Sequence, residues 1–473
     1  MRRRDSSARP KPRDLAFLLL ALTGLVYLLS GPVFYGYDGE IMYRVSESLV
    51  LRHSIIVSDP IYHFAQPYSP YGIGTSLALV PLVALGQFLM HDPRALAILY
   101  LPLITALTVV ALNAVLVELG VTRTWAAGLS LIYAFGTLAW HYSGVMFSEP
   151  LLGLMMIVAL LSLLRFKRFG RARWLLAAGA ASGTAILARD DSLFLVVPPF
   201  LIYAVVLSLR TRPDWLARAR DALAYLAPIA AAGLIALAYH LVRFGWGSGP
   251  YASDGIGFSQ PLLSGLYGLL LSPGAGLLIF CPVLVMAFIG FVPLAQRWRA
   301  VALVIAALIL LRVLFFARWW DWSGGATWGP RYIVPLIPVM MVPVAFVVGS
   351  RWRRVTIALG GLGVGVELLG QLVPYGLYYG AVVPQLAAQL GICRCVPPPS
   401  QGSRAINNLM AFDWNYAPLV GQMRDLLHGI VAPTWAPIAV FALPLVAIAS
   451  VGLGLQIWRL ARQLEAVELA EAA

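Results

Sequence analysis

The chain has 473 residues, of which 60% are apolar and only 12% charged, and its net charge is +13. A soluble domain could not bury so large an apolar fraction, and recurrent apolar runs of about 20 residues predict a helical protein that crosses the membrane many times. The positive charges are scattered between these runs, which indicates membrane orientation and argues against a nucleic-acid partner.

The N-terminal segment Met1–Asp14 is basic and precedes the first apolar run, but no small-residue cleavage site follows that run. We therefore expect an uncleaved anchor. The three cysteines, Cys281, Cys393 and Cys395, give neither a disulfide framework nor a zinc pattern. The close pair Cys393 and Cys395 is compatible with a strained local disulfide or with two free thiols.

Apolar runs recur along the whole chain and define the candidate spans. The run Ile73–Met90 differs from the others because Pro81 and Gly86 interrupt it shortly after the first loop. The other runs are Leu15–Val33, Leu96–Val117, Trp125–Tyr142, Leu151–Phe166, Trp174–Ala188, Leu193–Leu209, Ala222–Leu241, Gly276–Leu294, Val301–Phe316, Ile333–Val348, Thr356–Val373 and Ile438–Trp458.

The basic segments decide which of these runs cross the membrane. The densest, Arg165–Arg173, is cytoplasmic only if Ile73–Met90 does not cross, and the same choice places every later basic segment inside. The sequence therefore predicts an all-α polytopic protein of the plasma membrane with about 12 transmembrane helices. Both termini are cytoplasmic, and Ile73–Met90 belongs to an interfacial or re-entrant pair of helices.

The predicted domain organisation is one membrane domain over residues 1–473, since no soluble stretch is long enough for a separate catalytic domain. Two external segments stand out. Residues 34–94 form the first external loop, with interfacial helices, and residues 374–437 form a second loop that includes a predicted helix, Leu419–Leu427. Any chemistry must therefore come from loops and span ends on the outer face.

The stretch Tyr37-Asp38-Gly39-Glu40 places two carboxylates at the lip of the bilayer, directly before a predicted interfacial helix, Ile41–Leu51. Charged groups held near a membrane are costly and often mark function. Asp38 and Glu40 are therefore candidate catalytic residues, and the alternative is a pair of solvated loop acids.

Two further polar groups fall at the outer ends of predicted spans. Glu149 precedes Pro150, where it either caps a helix or faces Asp38 as a second acid for a metal or an acceptor. His141 is either a substrate ligand or a residue of the interfacial aromatic belt.

Arginines also gather on this face. Arg189 is followed by Asp190 and Asp191. The arginine is either neutralised by these aspartates in a hairpin or binds a phosphate. Arg312 lies within a predicted span, where a charge is costly and indicates a role. Glu367 in a neighbouring run is its candidate partner.

The segment Arg318-Trp319-Trp320-Asp321 combines stacking faces with a bidentate donor, as binding a sugar beside a phosphate requires. The alternative is an interfacial tryptophan anchor. There is no phosphate-binding glycine loop of the nucleotide-binding kind, so a nucleotide cofactor is not expected.

Arg331 opens a span after the Gly329-Pro330 turn and is followed by Tyr332. It lies at the level of the outer headgroups. It therefore either binds a substrate phosphate or snorkels to ordinary lipid.

In their order along the chain, these motifs resemble the glycosyltransferase C superfamily, especially the bacterial branch near the protein O-mannosyltransferases and the lipid A aminoarabinose transferases. The resemblance covers almost the full length and includes the non-crossing apolar pair. Its motifs are Tyr37-Asp38-Gly39-Glu40, Ser148-Glu149-Pro150, the small-residue stretch Gly179–Ala188 before Arg189, and Gly329-Pro330-Arg331-Tyr332 with Pro335 and Pro338.

The resemblance implies an enzyme that moves a sugar from a polyprenyl-phosphate carrier to a lipid, protein or polysaccharide acceptor on the outer face. It implies that Asp38 is the general base, with Glu40 as its neighbour. Many members have two adjacent acids, whereas Gly39 separates them here. That difference leaves open which acid is the base and whether a divalent cation, Mg or Mn, is used.

The remaining candidate site residues are assigned to the two parts of the donor. The predicted substrate-binding residues are His141, Glu149, Trp319, Trp320, Asp321 and Tyr332, and the predicted lipid-phosphate-binding residues are Arg331, Arg318 and Arg189.

Two other functions compete with this one. A transporter or flippase for a lipid-linked sugar would also present arginine and tryptophan to an outer cavity, although such proteins more often show repeated halves. A ligase that moves whole glycans from a diphosphate carrier would need the arginines but not Asp38.

Overall fold

The computed structural model of the chain describes residues 11–30, 37–57, 67–247, 257–392, 401–431 and 435–472. The pair Cys393 and Cys395 and the arginines before residue 11 lie outside these ranges. The described residues contain no β-strand, and a single isolated bridge joins Ile56 and Tyr68. The prediction of an all-α protein is therefore confirmed.

The helices follow one another in this order: α1 Pro12–Leu29, α2 Tyr37–Arg52, α3 Gly74–Met90, α4 Tyr100–Glu118, α5 Arg123–Phe135, α6 Ala139–Tyr142, α7 Glu149–Phe169, α8 Ala172–Ala188, α9 Ser192–Leu195, α10 Val197–Thr211, α11 Trp215–Phe244, α12 Leu262–Leu271, α13 Leu277–Phe280, α14 Val285–Arg297, α15 Arg299–Arg318, α16 Ile337–Val344, α17 Arg353–Leu372, α18 Tyr375–Gln389, α19 Gln401–Phe412, α20 Pro418–Leu427 and α21 Trp435–Ala472. Short 3-10 segments cover Ala97–Leu99, Pro282–Leu284, Arg331–Leu336 and Trp414–Tyr416.

Seven helical segments of the described chain are long and apolar enough to cross a membrane. Shorter apolar helices, among them α3 and α8, accompany them. This makes the chain a multi-pass membrane protein, while the count of about 12 crossings stays a prediction. The long segments are Pro12–Leu29, Ala97–Glu118, Glu149–Phe169, Ser192–Thr211, Trp215–Phe244, Arg299–Arg318 and Arg353–Leu372.

Several predicted spans are broken near one end, among them Trp125–Tyr142 and Ile333–Val348. The run Trp125–Tyr142 divides into α5 and the short α6, and the run Ile333–Val348 begins as a 3-10 segment that contains Pro335. Proline lacks the N–H that an α-helix needs, which favours the tighter turn. These breaks leave backbone and side chains at those ends free to build a site.

The most extensive helix packing joins α4 to α7, α7 to α8 and α8 to α11. Most side chains of α7 are buried. Small residues let α11 approach α8 closely: a Cβ added to Gly179 would lie 2.1 Å from the carbonyl oxygen of Tyr225. Such close contact is how apolar helices associate in lipid. Helix α8 also packs directly against α7, so Arg189, at the C-terminal end of α8, lies beside α7.

The predicted first external loop is held by α2 and α3, which pack against each other. The hydroxyl of Ser46 donates to the carbonyl of Ser76 at 2.8 Å, and the hydroxyl of Ser76 donates to the carbonyl of Met42 at 2.8 Å. Helix α2 begins at Tyr37, four residues before the predicted start at Ile41. The two acids of this stretch therefore lie in the first turn of a helix, where free N–H groups favour negative charge.

The predicted second external segment contains α18, α19 and α20. Helix α20 confirms the predicted helix Leu419–Leu427 and begins one residue earlier, at Pro418. Its buried Gln422 accepts a hydrogen bond from the Trp328 indole at 2.9 Å and donates to the Val373 carbonyl at 2.6 Å. This contact joins the C-terminal segment to the loop that leads into Arg331.

Candidate active site

Asp38 lies between a tyrosine and an arginine. Its Oδ1 accepts a hydrogen bond from the Tyr71 hydroxyl at 2.6 Å, and its Oδ2 accepts one from Arg331 Nη2 at 2.5 Å. The Asp38 side chain keeps 15% of its surface exposed. It is therefore a partly accessible carboxylate at the edge of a buried cluster, and not a solvated loop acid.

Gly39 explains how α2 approaches this cluster. The glycine is buried, and a Cβ added to it would lie 2.7 Å from both the carbonyl oxygen and the Cβ of Met146. Any other residue would push α2 away from residues 144–148, which precede α7. The glycine that separates the two acids is thus needed for the close approach that brings Asp38 to Arg331.

Arg331 binds two acids at once. It follows Gly329, whose φ of 72° belongs to the left-handed region, and it begins the 3-10 segment before α16. Its Nε donates to Glu149 Oε1 at 3.0 Å while its Nη2 donates to Asp38. The Phe147 ring covers the guanidinium, with Cζ 3.8 Å from the ring centroid. A planar group with donors on two edges is required for this bridge.

Glu149 continues the cluster inward. It is fully buried at the N-terminus of α7, and its Oε1 also accepts a hydrogen bond from Arg189 Nη1 at 2.9 Å. Arg189 binds Asp191 Oδ2 with Nε at 3.0 Å and Nη2 at 2.7 Å. Asp191 Oδ1 lies 3.6 Å from Arg312 Nη1.

We call this series the ion-pair chain: Asp38, Arg331, Glu149, Arg189, Asp191 and Arg312. Its three carboxylates and three guanidinium groups alternate, so its formal charge sums to zero. Buried charges persist only when they are paired, and removing one member leaves its neighbour uncompensated. The chain therefore holds Arg331 rigidly from the buried side, with Asp38 as its exposed end.

The structure corrects one predicted pairing. Arg312 pairs with Asp191 and donates from Nε to the Tyr332 carbonyl at 2.5 Å, and it does not pair with Glu367. The reason is that α15 packs beside α9, which Asp191 precedes, whereas α17 packs beside α6. Glu367 instead accepts a hydrogen bond from the backbone N–H of His141 at 3.3 Å.

Glu40 belongs to a separate group on the same helix. Its Oε1 accepts a hydrogen bond from Arg44 Nε at 2.7 Å and forms an ion pair with Arg94, from the end of the first loop. Arg94 also covers the Tyr43 ring, with Cζ 4.5 Å from the centroid. The two acids of the motif thus have different partners: Asp38 faces the ion-pair chain, and Glu40 ties the loop together.

The aromatic candidates fall into two groups. Tyr332 stacks on Phe316 with centroids 4.2 Å apart, and the Arg189 guanidinium lies 5.2 Å from the Tyr332 ring centroid. The half-buried His141 ring lies 4.7 Å from that of Trp328. Tyr332 therefore lies against the arginines of the cluster, whereas His141 lies beside Trp328.

Three candidates of the segment 318–320 lie against residues 257–260 and α15. Arg318 donates to the Phe258 carbonyl at 2.9 Å, and Trp319 packs on Phe258 with centroids 5.6 Å apart. The backbone N–H of Trp320 donates to the Gly257 carbonyl at 3.0 Å. Their assignment to substrate and phosphate stays a prediction.

Asp321 is a second acid near Asp38. Its Oδ1 accepts the backbone N–H of Gly325 at 3.1 Å. Burial, and to a smaller extent the charge of Asp38, raise the pKa of Asp321 to about 6, although Arg331 and the Gly325 N–H oppose the shift. The folded protein therefore binds a proton at Asp321 more tightly than an unfolded chain does.

This shift predicts how stability depends on pH. Above the raised pKa of about 6, Asp321 is ionised in the folded protein and lowers its stability. This destabilisation fades as the pH falls from about 6 towards the ordinary pKa of an aspartate. Asp321→Asn keeps an acceptor for Gly325, so we expect it to unfold at a higher temperature than the parent at about pH 7.5. The difference should shrink at about pH 4.5. Thermal unfolding in detergent at both pH values measures this, with Asp92→Asn as an exposed control. A less stable variant at pH 7.5 would contradict the prediction.

Two contacts of the site were missed from the sequence. Tyr71 and Phe147 carried no signal that distinguished them from other loop and interfacial aromatics. No group of three His, Cys, Asp or Glu side chains within the described ranges could hold a metal ion. Asp38 and Glu149, the predicted pair of acids, both bind the Arg331 guanidinium, so neither is assigned to a divalent cation.

Comparison with known proteins adds two findings. Residues 90–243 match the family model for dolichyl-phosphate-mannose-protein mannosyltransferase. The fold is similar to the crystal structure of ArnT from Cupriavidus metallidurans bound to undecaprenyl phosphate, with a TM-score of 0.51 and 17% identity over 97% of this chain and 78% of that chain. No curated protein matches the sequence. The family model covers about a third of the chain and the structural similarity shows the fold, and both agree with the predicted resemblance. The chain is a multi-pass membrane protein with this fold.

Proposed function

We propose that the protein transfers a sugar from a polyprenyl-phosphate carrier to an acceptor, with Asp38 as the general base and Arg331 as the group that binds the carrier phosphate. One observation carries this proposal: the partly exposed carboxylate of Asp38 lies 2.5 Å from the buried guanidinium of Arg331, which Glu149 also anchors. Asp38 is in the first turn of α2, and Arg331 begins the 3-10 segment before α16. Base and phosphate site are thus adjacent.

The chemistry needs both groups. The acceptor hydroxyl gives its proton to Asp38 as its oxygen bonds to the anomeric carbon. The bond from that carbon to the phosphate oxygen breaks, and its electron pair stays on the phosphate. Arg331, which is itself buried, stabilises this growing negative charge. A single base is enough for an inverting transfer, because no covalent sugar intermediate is formed.

The comparisons support the class of donor. The matching family model describes proteins that use dolichyl-phosphate-mannose, and the similar crystal structure holds undecaprenyl phosphate. Both are polyprenyl phosphates. The acceptor is a lipid, a protein or a polysaccharide, and the sugar is a hexose or a pentose.

The site faces the outside of the cell in this proposal. The positive-inside rule places both termini and the basic segments in the cytoplasm when α3 does not cross. Residues 34–94 and 374–437 are then external, and the ion-pair chain lies at the outer ends of α7, α8 and α15. Both substrates reach it from the membrane surface.

Labelling of single cysteines tests this orientation. His91, at the end of α3, and Ala172, at the start of α8, are both exposed. In a background without the three native cysteines, His91→Cys should react with an impermeant thiol reagent added outside intact cells, and Ala172→Cys should react only after the membrane is opened. The reverse pattern would place the site in the cytoplasm.

The function itself is tested in two steps. Mass analysis of lipids from cells without the protein should show one accumulated polyprenyl-phosphate sugar. The purified protein in liposomes should then release free polyprenyl phosphate from that donor as the sugar appears on an acceptor. A transporter would leave the donor intact in the second step, and a ligase would cause a diphosphate-linked glycan to accumulate in the first.

A further inference from the structure

We propose, as a step that rests on the proposed function, that Asp38 and the carrier phosphate compete for the same donor group of Arg331. Without the carrier, Arg331 binds Asp38 and restrains the base. The phosphate displaces Asp38, which frees the base only when the donor is in place.

The hydrogen bonds of Asp38 show the restraint. Its Oδ1 accepts from the Tyr71 hydroxyl, and its Oδ2 accepts from Arg331. Arg331 therefore occupies Oδ2, one of the two oxygens that an acceptor hydroxyl must reach. That oxygen becomes available once Arg331 has another anion to bind.

The carrier phosphate can replace an acid only at the Asp38 end of the ion-pair chain. Arg331 Nε is bound to Glu149, which is fully buried and is also held by Arg189. Asp38 is the most exposed acid of the chain, at 15%, compared with 0% for Glu149 and 11% for Asp191. An incoming phosphate can therefore replace Asp38 while Glu149 keeps the guanidinium in position.

The charges of the reaction can be followed across the same contact. The ion-pair chain is neutral before the carrier binds, so a phosphodiester adds one uncompensated negative charge. During the reaction Asp38 loses its charge by gaining a proton, while the phosphate changes from a singly to a doubly charged group. The total stays constant, and the positive charge of Arg331 passes from the base to the leaving group.

A consequence for product release follows. While Asp38 is protonated, Arg331 is free to hold the product phosphate. When Asp38 gives its proton to water, the carboxylate competes again for Nη2 and weakens the binding of the product. The same contact thus restrains the base before the reaction and favours release of the spent carrier after it.

The test is the affinity of the full-length protein for undecaprenyl phosphate, measured in detergent or nanodiscs. Asp38→Asn resembles the protonated aspartate and should bind this probe about tenfold or more tightly than the parent, since one charged hydrogen bond no longer competes. Undecaprenol, which lacks the phosphate, should bind both proteins equally. Glu47→Gln removes a charge from the same helix, where Glu47 binds Arg44 and Tyr43, and should leave the affinity near that of the parent.

Each outcome decides the matter. Equal or weaker binding of undecaprenyl phosphate to Asp38→Asn overturns the competition while leaving the proposed function intact. An equal gain in Glu47→Gln also overturns it, because the effect would then be general electrostatics. If the parent and both variants bind undecaprenol as well as undecaprenyl phosphate, the phosphate site of the proposed function is absent. Asp38→Ser is the second variant if the amide does not fold.

Discussion

Replacing Asp38 by asparagine should lower the rate of sugar transfer by about 10²-fold or more while the protein still folds. The amide keeps the size of the side chain and can still contact Tyr71, but it cannot accept the acceptor proton. Its affinity for the carrier should not fall, so the loss should appear in the maximal rate and not in the half-saturating carrier concentration. Initial rates over a range of carrier concentrations measure both quantities.

Glu40→Gln is the matched control for this change. Glu40 lies on the same turn of α2, but it binds Arg44 and Arg94 instead of the ion-pair chain. We expect a smaller loss of activity than in Asp38→Asn. Full activity in Asp38→Asn would refute the base assignment and favour a transporter or a ligase, and a larger loss in Glu40→Gln would make Glu40 the base.

Replacing Arg331 by lysine should lower transfer by about tenfold or more, and Arg331→Ala by about 10²-fold or more. The arginine reaches Glu149 with Nε and Asp38 with Nη2, and a single ammonium group cannot reproduce that geometry. A phosphate contact strengthens as the leaving group gains charge, so the maximal rate should fall as well as the affinity for the carrier. The same initial-rate experiment measures both.

The lysine variant is the more informative of the two, because Arg331→Ala also leaves two acids without a partner and can destabilise the fold. Arg52→Lys, at the far end of α2, controls for a general effect of replacing arginine. An arginine that only snorkels to lipid headgroups would tolerate lysine. If Arg331→Lys matches the parent in maximal rate and half-saturation, the phosphate role passes to Arg318 or Arg189.

The helical class and the identity of several site residues could be predicted because they depend on local composition. Apolar runs reveal helices in lipid regardless of their neighbours. Charged groups at span ends are few, which made Asp38, Glu149, Arg189 and Arg331 candidates before any contact was known. The helix Leu419–Leu427 was recognisable for the same local reason.

The pairing of those residues could not be predicted in this way. Asp38 and Arg331 are 293 residues apart, and Glu149 and Arg331 are 182 residues apart. Arg312 was expected to bind Glu367 because both are charged and lie in predicted spans. The actual partner is Asp191, since α15 packs beside α9.

The amino-acid sequence alone therefore determined that the chain is a helical membrane protein, and it supplied the charged groups and the Gly39 that lets α2 approach residues 144–148. The tertiary structure alone decided that Tyr71 holds Asp38, that one arginine bridges two acids, and that the charges alternate through six residues. The physical reason is that apolar helices form from local hydropathy, whereas an ion pair forms only where packing brings two distant side chains within about 4 Å.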